Sequence, residues 1–130
     1  DIFVGRLISA PVETVSPETP VQQAASTLLE RDIGSVVVVD GADFVGILTT
    51  TDFVRITADG TAADATVADY MTTDVVTATA NDSLNDVAST MVDNGFHHLP
   101  VVDDDTGVIG MLTTADLTAY LSTVESPSMA

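Results

Sequence analysis

Gly46-Ile-Leu-Thr-Thr-Thr-Asp52 returns at an offset of 64 as Gly110-Met-Leu-Thr-Thr-Ala-Asp116, and this match is the end of a repeat that runs through most of the chain. Upstream of it, an offset of 63 lays Val4–Asp40 on Val67–Asp103 without a gap. Val12 falls on Val75, Thr14 on Thr77, Ala25-Ser26-Thr27 on Ala88-Ser89-Thr90, and Val38-Val39-Asp40 on Val101-Val102-Asp103. One extra residue in the acidic turn Asp103–Gly107 accounts for the change of offset. Elsewhere the character of the side chain is kept, as in Leu28 with Met91 and Ile33 with Phe96. Such an internal repeat sets the architecture before any motif is weighed.

Each copy reads as a short strand, a helix, two strands and a second helix. In the first copy Val12–Val15 is extended, and Pro17–Pro20 opens a helix whose Val21, Ala24, Ala25, Leu28 and Leu29 share one face. Ser35–Asp40 and Phe44–Thr49 are strands around the turn Gly41-Ala42-Asp43, and their continuous valines predict cover on both faces. Thr50–Ile56 is the closing helix. The second copy repeats this with a strand at Val75–Ala78, a helix over Asp82–Asn94 stopped by Asn94-Gly95, strands His98–Asp103 and Val108–Thr113, and a helix Thr114–Thr123. Ala58–Thr66, small and polar, is the linker, and Glu125–Ala130 a frayed tail. A repeat of roughly 55 residues buries too little surface to stand alone, so the two copies are expected to pack face to face. The predicted class is α/β (α+β): two β-α-β-β-α repeats packed as one pseudo-two-fold globule.

Composition removes several function classes. The chain of 130 residues is 45% hydrophobic, enough for a core, yet carries 20 acidic residues against three Arg and no Lys, for a net charge of -17. Such a surface repels phosphate backbones and anionic head groups, so no nucleic acid and no membrane partner is expected. Apolar runs such as Val36–Val39 fall far short of the roughly 20 residues of a membrane span. Without Cys there is no disulfide, thiol nucleophile or thiolate metal site, and His97-His98 cannot complete a zinc centre alone. No metal site is therefore assigned. Asp103-Asp104-Asp105 lacks the alternating ligands of a calcium loop and reads as a solvated turn. Asp1–Ala10 has neither the basic start nor the apolar centre of a signal peptide, so the expected address is cytoplasmic. Molar salt shortens the Debye length to about 3 Å and screens self-repulsion, which makes a halophilic habitat the natural reading of this acidity.

The pattern from Thr14-Val-Ser-Pro-Glu-Thr-Pro-Val21 through Val36–Asp40 to Gly46–Asp52, with its echo in Phe96-His-His-Leu-Pro-Val-Val-Asp103 and Gly110–Asp116, resembles tandem cystathionine β-synthase (CBS) domains. Val4–Ser9 and Val67–Thr72 resemble the short lead-in that precedes each copy in that family. The chain then divides into a first repeat with its lead-in at 1–57, a linker at 58–66, a second repeat with its lead-in at 67–124, and a tail at 125–130. The resemblance implies a non-catalytic regulatory or energy-sensing module, with clefts between the repeats for AMP foremost, or ADP, ATP or S-adenosylmethionine. The family motif Gly-x-x-Thr/Ser-x-x-Asp maps onto Gly46, Thr49 and Asp52, and onto Gly110, Thr113 and Asp116, as candidates for ribose and phosphate.

Physical chemistry supports two readings of that motif. A helix N-terminus offers unpaired N–H groups to an anion, a threonine hydroxyl adds a donor, and a carboxylate accepts both hydroxyls of a ribose. The glycine lets ligand or backbone approach closely. Equally, Thr-x-x-Asp is a capping box that satisfies the first helical turn from within. By the resemblance, the adenine slot draws on Thr14, Val15, Ser16, Ser35 and Val37 in one copy. In the other it draws on Thr77, Ala78, Thr79, His98 and Pro100. Each valine also reads as ordinary core. His97 and His98 stand where some family members place basic groups against phosphate, and a histidine there makes affinity depend on pH. The first copy has Gly34-Ser35 at that place, so unequal clefts are expected. Arg6, Arg31 and Arg55 are the only cations apart from His, and Arg55 is placed to pair with Asp52 on its own helix, which ranks AMP above ATP.

No nucleophile, base and orienting group occur together at a recognisable spacing, so neither an enzyme nor a catalytic cofactor is expected. The rival reading is a ligand-free structural module that bridges partner proteins. A homodimer is expected through Phe53, Ile56, Leu117, Tyr120 and Leu121, with an unidentified regulated protein as a further partner.

Overall fold

A computed structural model describes residues 2–60 and 64–123. The class is α+β, and the chain forms two compact units, residues 12–75 and residues 1–11 with 76–130. This division differs from the order of the sequence. Residues 67–72 lie in one unit with the first repeat, and residues 2–9 in the other with the second.

In the first of these units β1 (Thr14–Val15) runs parallel to β2 (Ser35–Asp40), which pairs antiparallel with β3 (Asp43–Thr49). The extended strand expected over Val12–Val15 shrinks to two residues, because its pairing reaches only Val37 and Val38. Helix α1 (Val21–Arg31) begins after Pro20 rather than within Pro17–Pro20, and buries Val21, Ala24 and Leu28, three and four residues apart. Leu29, expected on the buried face, is 83% exposed. The helix stops at Asp32, whose φ of 53° is left-handed; a short polar side chain tolerates that conformation where most do not. Helix α2 (Thr50–Asp59) runs past Ile56 into the expected linker and ends at Gly60. A single turn, α3 (Val67–Tyr70), follows.

The core of this unit is Ala24, Leu28, Val36, Val38, Leu48 and Val67, and the wholly buried Val67 comes from the lead-in rather than from the repeat proper. Full burial of a side chain such as Leu48 contributes about 1.5–3 kcal/mol. The outer edge of β3 is closed at one point, where Ile47 and Thr72 exchange N–H···O bonds of 3.0 and 2.9 Å.

The other unit repeats the plan. Strands β4 (His98–Asp103) and β5 (Gly107–Thr113) pair antiparallel, and helices α4 (Leu84–Asn94) and α5 (Thr114–Thr123) flank them. The strand expected at Val75–Ala78 reduces to one parallel bridge, Ala78 with Val101. Helix α4 starts two residues later than Asp82, and Gly95, at φ 68°, supplies the left-handed stop that Asp32 supplies in the first copy. Both hairpins carry a register shift at matching places, Val38/Val39 and Val101/Val102. The lead-in again closes the outer strand, through Ser9 and Met111 at 2.9 and 3.0 Å. Val4, wholly buried, joins Leu84, Val87, Met91, Leu99, Val101 and Leu112 in the core. The tail Glu125–Ala130 lies outside the described residues.

The residues on which a homodimer was expected are used largely inside their own units. Ile56 and Phe53 pack with Val21 and Ala65, and Leu117 and Tyr120 pack against the core of the other unit. Leu121 alone of that set is 69% exposed, joined on α2 by Val54.

Candidate functional site

The repeated motif places a strand-to-helix junction at the end of β3 and another at the end of β5. Among the described aspartates every side chain is exposed except Asp52 and Asp116, one at each junction. A carboxylate is withdrawn from water only where partners replace its hydration, so these two are set apart from the acidic residues that solvate the surface.

At the first junction Asp52 is 4% exposed. Its Oδ2 accepts the Thr49 amide at 2.8 Å and the Thr49 hydroxyl at 3.3 Å, within a capping box over the first turn of α2. Its Oδ1 accepts the Arg55 guanidinium at 2.8 Å, and the same nitrogen donates to the Tyr70 carbonyl at 3.0 Å. The intrahelical pair expected between Arg55 and Asp52 is present. Its second arm, to the lead-in, carries no signal in local spacing.

At the second junction the Thr113 amide donates to Asp116 Oδ2 at 2.9 Å, and the Asp116 amide returns a bond to the Thr113 hydroxyl at 3.0 Å. Asp116 Oδ1 accepts the Ser9 hydroxyl at 3.0 Å. The capping reading of Thr-x-x-Asp therefore holds at both junctions. Ser9 escaped the sequence reading, although the offset of 63 places it on Thr72 and marks both as hydroxyl residues at the ends of their lead-ins.

The motif glycines serve the lead-ins. A Cβ on Gly46 would stand 2.5 Å from the Thr72 carbonyl oxygen and 3.3 Å from Met71 Sδ, and one on Gly110 would stand 2.7 Å from Ile8 Cδ1. Of the two uses expected for glycine here, close approach of backbone is thus realised at Gly46, while Gly110 makes room for the Ile8 side chain.

The remaining candidates divide. Ser35 pairs with Thr49 across the β2–β3 ladder, and His98 with Thr113 across β4–β5, so one residue of each adenine set stands beside its motif threonine. Val37 is wholly buried and pairs with both Thr14 and Ile47, while Val15 packs against the core. The Ser16 amide and hydroxyl are engaged by the Thr19 hydroxyl, each at 3.1 Å. In the second copy Ala78 and Pro100 are buried, and the Thr79 amide and hydroxyl are turned to Asp82 at 2.9 and 3.1 Å. Thr77 and Ala78 line a cavity of about 240 Å³ with Asp82, Asp86, Thr90 and Leu99, which includes none of Gly110, Thr113 or Asp116.

His97 is exposed and its carbonyl accepts the Thr114 amide at 3.1 Å, as Gly34 does for Thr50 at 3.0 Å. His98 is half-buried, and burial, then the neighbouring His97, hold its pKa below the usual value of 6.5 against the opposing pull of Asp116. Among the described residues no group of three or more His, Cys, Asp or Glu could hold a metal ion. Asp103, Asp104 and Asp105 form an exposed turn in which the Asp105 amide donates to Asp103 Oδ1 at 2.8 Å. No helix among the described residues is long and apolar enough to cross a membrane.

A repeat of this plan, with a capped junction closed by a lead-in, defines the class. The CBS domain family model matches residues 4–59 and 67–123, and the chain belongs to that family. It is 32% identical over 124 residues to the CBS domain-containing protein YhcV of Bacillus subtilis, covering 95% of this chain and 88% of that one. Among solved structures it resembles the CBS domain pair of protein MJ0100 in complex with 5′-methylthioadenosine and S-adenosyl-L-methionine. There the TM-score is 0.85 at 28% identity, over 92% of this chain and 95% of that one. CBSX2 in complex with AMP is similar at a TM-score of 0.81 and 26% identity, over 94% of this chain and 98% of that one.

Proposed function

We propose that the chain is a non-catalytic regulatory module that binds an adenosine-containing ligand at its strand-to-helix junctions and passes occupancy to a partner protein. The observation that carries this reading is the withdrawal of Asp52 and Asp116 alone from a surface on which the other described aspartates are exposed. Each sits beside a helix N-terminus, where the local dipole favours phosphate and a carboxylate suits a ribose diol. Relatives of the same fold hold 5′-methylthioadenosine, S-adenosylmethionine or AMP.

AMP ranks above ATP on charge. Arg31 is paired with Glu13 at 3.7 Å and Arg55 is committed to Asp52 and Tyr70, so few cations are left to neutralise a polyphosphate in a chain of net charge -17. A cytoplasmic homodimer joined through α2 and α5 belongs to the same proposal, supported by exposed Val54 and Leu121.

The structural-module reading draws on a specific observation as well: both carboxylates already have partners inside the chain. Thermal unfolding in molar KCl with AMP, ADP, ATP and S-adenosylmethionine separates the two. A ligand at about 100 times its Kd stabilises by about 2.7 kcal/mol, a readable rise in Tm that Asp116→Ala should remove. A Tm unmoved by all four ligands selects the structural module.

A further inference from the structure

The two junctions differ in how much of each carboxylate remains free to accept anything else, a difference whose meaning rests on the nucleoside-binding function proposed for the chain. An ionised carboxylate offers about four acceptor positions. Asp52 has three in use, two on Oδ2 from Thr49 and one on Oδ1 from Arg55, with its side chain 6% exposed. The Arg55 nitrogen that occupies Oδ1 also donates to the Tyr70 carbonyl, so moving it aside breaks two bonds, one of them between α2 and α3.

Asp116 has two positions in use among the described residues, one from the Thr113 amide and one from the Ser9 hydroxyl. The Thr113 hydroxyl accepts from the Asp116 amide as the Thr49 hydroxyl does from that of Asp52, but only Thr49 also donates to its carboxylate. Two positions are left, the number that a vicinal diol fills. The competitor also carries less charge: Ser9 is a neutral, exposed donor, whereas Arg55 brings a full positive charge to Asp52 at 2.8 Å. His98 flanks this junction where Ser35 flanks the other.

The geometry points to a single nucleoside site per chain, built on Asp116, Thr113 and His98, with the Asp52 junction closed by Arg55. Arg55 is then a specificity-determining residue that excludes ligand from the first repeat, and Asp52 serves as a structural tie between α2 and the lead-in.

The test is isothermal titration of the full chain in molar KCl with AMP and, separately, 5′-methylthioadenosine, with thermal unfolding as the check that each variant is folded. One ligand per chain is expected. Asp116→Asn should weaken it by about tenfold or more, as loss of a hydrogen bond to a charged group does. Asp52→Asn should leave affinity within about threefold, and Arg55→Gln, at a side chain 56% exposed, should raise the stoichiometry to two. Two ligands on the unaltered chain, or loss of binding in Asp52→Asn with Asp116→Asn unaffected, overturns the inference and leaves the nucleoside reading standing. Arg55→Gln chains that still bind one ligand overturn the lock assigned to Arg55. Absence of heat from either probe on the unaltered chain overturns the nucleoside reading and the inference with it.

Discussion

Ser9 and Asp116, 107 residues apart in the chain, are joined by a 3.0 Å hydrogen bond from hydroxyl to carboxylate. At the corresponding place in the first repeat Asp52 is reached from its own helix by Arg55, which in turn holds the Tyr70 carbonyl. Both arrangements tie a lead-in to the helix that begins at the motif, one through a neutral donor and one through a cation. The family signature in this chain is thereby a docking point for its own lead-ins as well as a candidate ligand site.

The motif glycines should respond unequally to substitution. Gly46→Ala drives a methyl against the Thr72 backbone, which is held by two ladder bonds, whereas Gly110→Ala meets only side-chain atoms of Ile8, whose nearest, Cδ1, can rotate away. Overpacking costs about 1–3 kcal/mol, and Gly46→Ala is expected at or above the upper end with Gly110→Ala below it. Urea unfolding midpoints measure both, and equal losses would contradict the difference in what the methyl meets.

Removing the two junction carboxylates, buried Asp52 and half-buried Asp116, should also cost different amounts. Asp116→Ala loses a cap and the bond from the Ser9 hydroxyl, about 1 kcal/mol. Asp52→Ala loses a cap and strands Arg55, and because Arg55 is more than half exposed the total is set at about 2 kcal/mol rather than the full value for a buried pair. A double substitution of Asp52 and Arg55 should recover part of that loss in chemical denaturation.

Val4→Ala tests which repeat the first lead-in serves. Val4 is wholly buried in the cluster with Leu84, Met91 and Leu112, so the cavity should cost about 1–3 kcal/mol. Hydrogen exchange should quicken in α4 and β5 before it does in α1 and β2. The opposite order would mean that the lead-in supports the repeat it precedes.

Lowering pH should destabilise the chain through His98. Its folded pKa lies below the unfolded value of 6.5, so between the two the unfolded chain binds more proton and stability rises with pH. The stabilising effect of the neutral ring is complete above about pH 6.5 and is lost as pH falls through the folded pKa. Asp116 opposes the loss and His97 adds to it. Thermal unfolding from pH 7.5 to 5 should show a shallower decline in His98→Gln, and identical slopes would exclude His98 as the source.

Salt should raise stability strongly. The described aspartates other than Asp52 and Asp116 are exposed, and screening that shortens from about 10 Å at 0.1 M to about 3 Å at 1 M relieves their mutual repulsion. Tm is expected to climb with KCl and to move far less with an osmotically matched neutral solute. A flat response to KCl would remove the halophilic reading.

Much was legible without coordinates because it depends on local periodicity. Ser35–Asp40 and His98–Asp103 run over the residues that their continuous β-branched pattern assigns, and Asn94-Gly95 stops α4 because glycine takes a left-handed φ without penalty. The ladder neighbours Ser35–Thr49 and His98–Thr113 were not legible, because the register shifts at Val38/Val39 and Val101/Val102 move each pair by one residue from where the turn alone would set it. The short first strands were overestimated because a strand's length is set by its partner rather than by its own residues.

The residues alone determined that two homologous halves exist, the order of strands and helices in each, and that a strand-to-helix junction with capping residues occurs in each. Those features arise from backbone preference and side-chain spacing within a few residues, which a one-dimensional pattern records. Only the tertiary structure decided which lead-in closes which sheet, why Gly46 and Gly110 must lack a side chain, and that Arg55 seals one carboxylate while Ser9 merely touches the other. These are contacts between segments remote in the chain, chosen by the fit of an unpaired strand edge and a buried charge to whatever the fold brings near.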